Sequence, residues 1–374
     1  GSDISTGINS RPRVDGNGGN DGNGGTYTYT WIMDGQRFTI KCKFKKISSG
    51  IYSDIAYLLY QSPDAVDAKR VEDRNSFYAL TYNIYGVFTQ GAEDIKKRFR
   101  AIASSQILNG HDILIFNEAF NDGARSMLRS AIKNEYPYMT RIIKAPLYRH
   151  IINGGIFIAS RWPIEIFDQY IYQHSGFPDS FAAKGVQYVK INKKGKYYHI
   201  FATHINWDGH PEIRMQQLEE MRVFVDSKNI PSEEAVIIGG DFNTDPHFHP
   251  TDYERMLVLL NCDNPQRNPD SFSCDPCRNA RLTPGDTNDR SLFDHILVQR
   301  GHLRPLSAQN NVVILKSAED EMFGTLELSD HFPVEGIFRF QNVEEGDNFS
   351  VDAAGDFSTE EEANFFQERR DAGI

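Results

Sequence analysis

Residues 235–243 read Ala-Val-Ile-Ile-Gly-Gly-Asp-Phe-Asn. Four apolar residues pass through two glycines into a carboxylate and a carboxamide, so the stretch reads as a short strand with Asp241 and Asn243 at its end. Sites in α/β proteins gather at the ends of sheet strands, and burying a lone charge elsewhere is costly. The same arrangement recurs outward along the chain. Asn83 follows the strand-like run in Thr-Tyr-Asn-Ile-Tyr, Glu118 that in Leu-Ile-Phe-Asn-Glu-Ala-Phe, and His204 that in Phe-Ala-Thr-His-Ile-Asn. Asp294 lies in Leu-Phe-Asp-His-Ile-Leu, and Asp330 and His331 lie in Leu-Ser-Asp-His-Phe-Pro-Val. Each alone also reads as a strand-terminal cap. Together they supply carboxylate and amide oxygens for a hard divalent cation and two histidines for proton transfer to and from oxygen, which is what phosphodiester hydrolysis requires.

Around these positions the apolar pattern predicts strands over 78–85, 112–120, 154–159, 185–191, 197–205, 235–239, 293–298 and 333–340, and helices over 93–108, 123–135 and 211–228. Short strands alternating with helices, with no fixed repeat, predict an α/β sandwich over residues 76–340. Residues 26–75 read as a small β-rich module, opening with two alternating runs around the hairpin dipeptide Asp34-Gly35. Residues 1–25, rich in glycine, asparagine and aspartate, read as a flexible linker, and 341–374 as an acidic tail.

The 374 residues are 40% hydrophobic and 24% charged, a globular balance that excludes a collagen-like, coiled-coil or wholly disordered chain. No apolar run approaches the roughly 20 residues that a membrane-spanning helix needs. Of the net charge of −11, the tail holds −8, which leaves a near-neutral body without the basic footprint of a nucleic-acid binder. No nucleic-acid partner is expected. Cys42, Cys262, Cys274 and Cys277 lack the second half of a four-cysteine zinc site, and a loop disulfide involving Cys262 is expected. The opening Gly1-Ser2 shows no signal-peptide pattern.

Asn-Glu-Ala-Phe, Asn-Gly-Gly-Ile-Phe-Ile-Ala-Ser-Arg-Trp-Pro-Ile, Ala-Lys-Gly-Val-Gln-Tyr, Gly-Gly-Asp-Phe-Asn and Ser-Asp-His-Phe-Pro-Val resemble the endonuclease/exonuclease/phosphatase superfamily over about residues 76–340. The Ser-Arg-Trp-Pro-Ile run and Lys184-Gly185 resemble its bacterial sphingomyelinase C and β-hemolysin branch. The resemblance implies a four-layered α/β/β/α sandwich of two mixed sheets, and hydrolysis of sphingomyelin to ceramide and phosphocholine. It implies Mg2+, with Mn2+ or Co2+ as substitutes, held by Glu118 with Asn83 and Asp330. His331 would be the general base oriented by Asp294, Asp241 and Asn243 would position water and phosphate, and His204 would stabilise or protonate the leaving alkoxide. Lys184 has two readings, an ammonium paired with the phosphate, as the resemblance implies, or a solvated loop lysine. Trp207 has two readings, a ring for a choline ammonium or an anchor for the helix that starts near Pro211. A secreted monomer acting peripherally at a sphingomyelin-containing membrane is the implied setting.

The pattern departs from that branch in two places. Ile152 and Asn153 stand where the toxins have an acidic pair for a second metal, with Asp122 a partial substitute or a helix cap. Between residues 311 and 328 only Met322 and Phe323 resemble the toxins' aromatic membrane hairpin, beside Glu319, Asp320 and Glu321. Competing readings are another phospholipase C, a nuclease or phosphoinositide phosphatase of the same superfamily, and a catalytically silent membrane-binding module.

Overall fold

The computed structural model describes residues 72–144, 150–207, 209–282, 290–317 and 325–341, together with the backbone of five strands nearer the N-terminus. Those five are β1 (Arg13–Val14), β2 (Thr26–Met33) and β3 (Gln36–Lys43) in one antiparallel sheet, and β4 (Lys45–Lys46) with β5 (Tyr52–Ser53) in a ribbon. Strands β2 and β3 pair antiparallel with Met33 opposite Gln36, and Asp34-Gly35 lies outside the described residues.

Two six-stranded mixed sheets make up the larger part. The first runs, in spatial order, through Ser307–Val312 (β16), Val334–Arg339 (β17), Ser76–Asn83 (β6), Ile113–Asn117 (β7), Phe157–Ser160 (β9) and Tyr138–Met139 (β8). The second runs through Ile164–Ile171 (β10), Gly185–Lys193 (β11), Lys196–His204 (β12), Ala235–Asp241 (β13), Asp294–Gln299 (β15) and Cys262–Asp263 (β14). Helices α1 (Ala92–Ala103), α2 (Asp122–Ile132), α3 (Pro211–Asp226) and α4 (Pro250–Leu259) accompany them. Local chemistry starts each helix. Glu93 and Asp94 face the positive end of α1, Asn121 Oδ1 accepts from Ala124 N to cap α2, and a proline opens α3 and α4 where no backbone donor is needed.

Side-chain alternation along the central strands builds the layers. Ile113 and Ile115 of β7 meet Ile237 and Ile296 between the sheets, whereas Leu114 and Phe116 turn out toward Phe99 and Leu128 of α1 and α2. On the far side, Val236 and Ile238 of β13 pack against Leu218, Met221 and Met256 of α3 and α4. Strands buried on both faces read as unbroken apolar runs, which is why residues 235–238 carry no polar break. The result is the expected four-layered sandwich.

Sheet register then gathers the polar strand ends. His204 lies beside Asp241, and Asp241 beside Asp294, across β12, β13 and β15. In the other sheet Asn83 lies beside Asn117, and Val334 beside Thr81, so the loop before β17 delivers Asp330 and His331 to the same edge. Gly240 lets the strands meet there: its φ is +142°, and a β-carbon would come within 2.0 Å of Thr203 O.

The structure alters some expectations. Cys262, Cys274 and Cys277 are free thiols, so the disulfide involving Cys262 is a misreading. Cys262 is buried in β14, where its Sγ donates to Leu260 O, and it serves as a small apolar core residue. The helix expected over 93–108 ends at Ala103, and Ser105 Oγ then caps a separate 3₁₀ turn, Gln106–Leu108. Strands β10 and β16 and helix α4 were not among the expected elements. Linker residues 1–12 and 15–25, Met322, Phe323 and the tail from residue 342 on lie outside the described residues.

Candidate active site

Asp241 Oδ2 is the point on which the site converges. It accepts from Asn83 Nδ2 at 2.9 Å and lies 3.5 Å from His204 Nε2 and 4.0 Å from His331 Nε2. His331 Nδ1 is hydrogen-bonded to Asp294 Oδ2 at 2.7 Å, which leaves Nε2 pointing toward Asp241. Asn243 sits at φ +47°, its amide N–H on Asp241 Oδ1 and its Nδ2 on Ile205 O. Backbone held in that left-handed region by a non-glycine residue is strained, and such strain concentrates at functional positions.

The two histidines are driven in opposite directions. Burial, together with the Lys184 ammonium and His331, pushes His204 well below the ordinary imidazole value. Burial also works against a charged His331, but Cys274 and the Asp294 carboxylate outweigh it, and His331 titrates well above that value. Burial and the proximity of Asp294 push Asp241 up to about 6.

Glu118 forms the second corner, also at a positive φ, +56°. Its Oε1 accepts from Asn83 Nδ2 at 3.1 Å, while its Oε2 is buried with no hydrogen-bond partner. Burial and then the Asp330 carboxylate push Glu118 up to about 8, and burial also raises Asp330. An unpartnered carboxylate oxygen facing a second carboxylate, beside a carboxamide, is the donor set of a hard cation. The residues expected to hold a metal therefore fit one. Asp241, Asp294 and His331 also bring potential ligand atoms within 4.8 Å of one another, but that group already contains the His331–Asp294 hydrogen bond.

Lys184 is buried, with Nζ 3.1 Å from His204 Nε2, 2.8 Å from Ile205 O and 2.8 Å from Asp179 Oδ2. Trp207 is exposed, and its backbone N–H donates to the same Asp179 oxygen at 2.6 Å. Asp122 opens α2 and pairs with Arg125, as a helix-terminal residue does. Asn153 is spent on Phe120 O and Gly155 N, and Ile152 bridges to Ala182. Three supporting residues were missed in the sequence. Asp179 holds Lys184, and fully buried Arg98 donates to Ile84, Tyr85 and Leu328 carbonyls around the Asn83 and Asp330 loops. Ser329 Oγ ties the Asn83 carbonyl to the His331 amide. Asp179 and Arg98 end no apolar run, and Ser329, although within Ser-Asp-His-Phe-Pro-Val, carries no charge or imidazole to single it out, so only contact reveals their roles.

Residues 80–331 match the endonuclease/exonuclease/phosphatase family. The chain belongs to that family. Within it, 289 residues are 32% identical to a sphingomyelinase C of Listeria ivanovii, over 70% of this chain and 84% of that one. A sphingomyelinase C of Leptospira interrogans is 33% identical over 64% of this chain, and the match spans 47% of that longer relative. Among solved structures, a Staphylococcus aureus beta toxin variant with bound magnesium ions superposes with a TM-score of 0.64 at 28% identity, covering 71% of this chain and all of the toxin. The superposition covers the two-sheet sandwich of this chain.

Proposed function

We propose that this family member is a divalent-metal-assisted phosphodiesterase that hydrolyses sphingomyelin to ceramide and phosphocholine, acting outside the cell at membrane surfaces. The observation that supports it most is one carboxylate oxygen, Asp241 Oδ2, flanked by two imidazoles, His204 Nε2 at 3.5 Å and His331 Nε2 at 4.0 Å.

The residues take roles by position. Asp294 fixes the His331 tautomer through Nδ1, so Nε2 receives the proton of a water lying between it and Asp241, across a 4.0 Å gap that one molecule spans. The resulting imidazolium is the form that Asp294 favours. Asp241 and Asn243 orient the water and the phosphoryl group. His204 faces the leaving ceramide oxygen, and Lys184, whose Nζ lies 3.1 Å from its Nε2, places positive charge where the alkoxide develops. A divalent cation, magnesium in this proposal, would be held by Glu118 with Asn83 and Asp330 and would neutralise charge on the phosphoryl oxygens. Trp207 borders this position as a face for the choline ammonium.

The test is phosphocholine release from sphingomyelin and from phosphatidylcholine, with Mg2+ or EDTA, by the wild type and His204→Ala. Release from sphingomyelin that needs both metal and His204 is expected. Release from both lipids would make the enzyme a broader phospholipase C, and silence on both would overturn the proposal.

A further inference from the structure

Four large apolar side chains are exposed on segments that hydrogen bonds tie to the Lys184 side of the site. Ile151, Phe177, Phe181 and Trp207 are 71%, 70%, 45% and 56% exposed. They come from three chain segments that hydrogen bonds join into one surface. Ile151 N donates to Phe181 O at 3.1 Å, and Trp207 N donates to Asp179 Oδ2 at 2.6 Å. The Phe177 and Phe181 rings meet edge-on at 5.9 Å. Asp179 lies between those two phenylalanines in the chain and also grips Lys184 Nζ at 2.8 Å, which in turn reaches His204 Nε2 at 3.1 Å. The patch is therefore one ion pair removed from the reacting groups.

Single exposed apolar residues need no explanation, but a contiguous aromatic group marks a surface that is covered when the protein works. Its charge narrows what covers it. Across residues 150–153, 175–182 and 206–207, Asp179 is the sole carboxylate, and no lysine or arginine is present. Lys184 already neutralises that carboxylate. These segments carry no lysine or arginine, so on a chain of net charge −11 they offer little to draw the patch toward an anionic surface. Rings of this kind, uncharged and backed by a polar turn, suit the boundary between headgroups and acyl chains of a zwitterionic leaflet.

We propose that the Phe177–Phe181 turn, with Ile151 and Trp207, inserts into the headgroup boundary of a zwitterionic bilayer and sets the Lys184–His204 side of the site against the lipid surface. The inference rests on the lipid reading of the active site. Aromatic insertion lets the headgroup reach His204 without the lipid leaving the leaflet, and Asp179 couples the inserted turn to the ammonium that contacts His204.

Cosedimentation with phosphatidylcholine–cholesterol vesicles in EDTA reads docking apart from turnover. The wild type is expected to bind, with little dependence on salt, and Phe177→Ser/Phe181→Ser to bind roughly a hundredfold more weakly, since two buried rings are lost. The same variant should keep its turnover of a soluble chromogenic phosphocholine ester while losing most turnover on sphingomyelin vesicles. A second measurement does not depend on that variant: brominated phosphatidylcholine should quench wild-type tryptophan emission and leave Trp207→Phe far less affected. Equal binding by the double variant, binding only to vesicles containing phosphatidylserine, or absence of quenching would overturn the proposal. Vesicle binding that the double variant loses, without any phosphocholine release by the wild type, would uphold docking and overturn the catalytic reading. Wild-type hydrolysis without vesicle binding would do the reverse.

Discussion

Strand β7 has a buried carboxylate at each end, and the two are treated in opposite ways. Asp112, just before the strand, accepts from the Tyr78 amide, the Trp162 indole and both faces of its contact with Lys193, whose Nζ lies 2.8 and 2.9 Å from its two oxygens. Lys193 is itself completed by Ser76 O. Glu118, just after the strand, keeps Oε2 buried without a partner and faces a second carboxylate, Asp330. Desolvation raises both carboxylates, so burial alone does not distinguish structure from function. Satisfaction does. A paired buried charge belongs to the scaffold, whereas a buried charge left unpaired is kept for something that binds.

Substitutions at the two ends should therefore separate activity from stability. Glu118→Gln and His331→Ala are expected to lower kcat on sphingomyelin by at least about a thousandfold, and Glu118→Gln to hold or raise the melting temperature, because it removes poorly satisfied charge. Loss of folding in Glu118→Gln would break the comparison. Asp112→Ala should do the opposite and destabilise the fold by about 3–5 kcal/mol in urea melts, since it strands the Lys193 ammonium in the core, with activity per folded molecule unchanged.

His295 offers a titration version of the same contrast, because it follows Asp294 yet is satisfied by Thr244 O at 2.9 Å. Burial lowers it from 6.5 to about 4. The unfolded chain takes up this proton as pH falls through 6.5 and the folded chain only near 4. Its stabilising contribution is thus complete above pH 6.5 and is lost between 6.5 and 4, by about 3 kcal/mol at 1.36 kcal/mol per unit. Urea melts across that window should be less steep in pH for His295→Gln than for the wild type. The smallest effect expected is metal stabilisation. Saturating Mg2+ at a hundredfold its Kd should add about 2.7 kcal/mol to the wild type and nothing to Glu118→Gln.

Much of this contrast was legible before folding. Asn83, Glu118, His204, Asp241, Asp294 and His331 each end or follow an apolar run, and register brings them to one edge because strand ends are shared by neighbouring strands. The elements that escaped have weaker signals. Edge strand β16, Ser-Ala-Gln-Asn-Asn-Val, has one face to solvent and almost no apolar residue to mark the other. Helix α4 buries only Tyr253 and Met256 in its span, too sparse a stripe to read. Cys262 was taken for a crosslink because a cysteine's partner, or the lack of one, is a matter of distance.

The amino-acid sequence by itself determined the layers, the family and the inventory of reactive groups, because alternation and apolar runs are local and follow from the period of a strand. Tertiary structure alone decided which groups are paired. It sets Asp179 on Lys184, Arg98 under the site loops, Ser329 between two of them, and leaves Glu118 Oε2 without a partner. Charge, desolvation and hydrogen bonding act over a few ångströms between residues as far apart in the chain as Asn83 and Ser329, 246 positions, and no reading along the chain contains those distances.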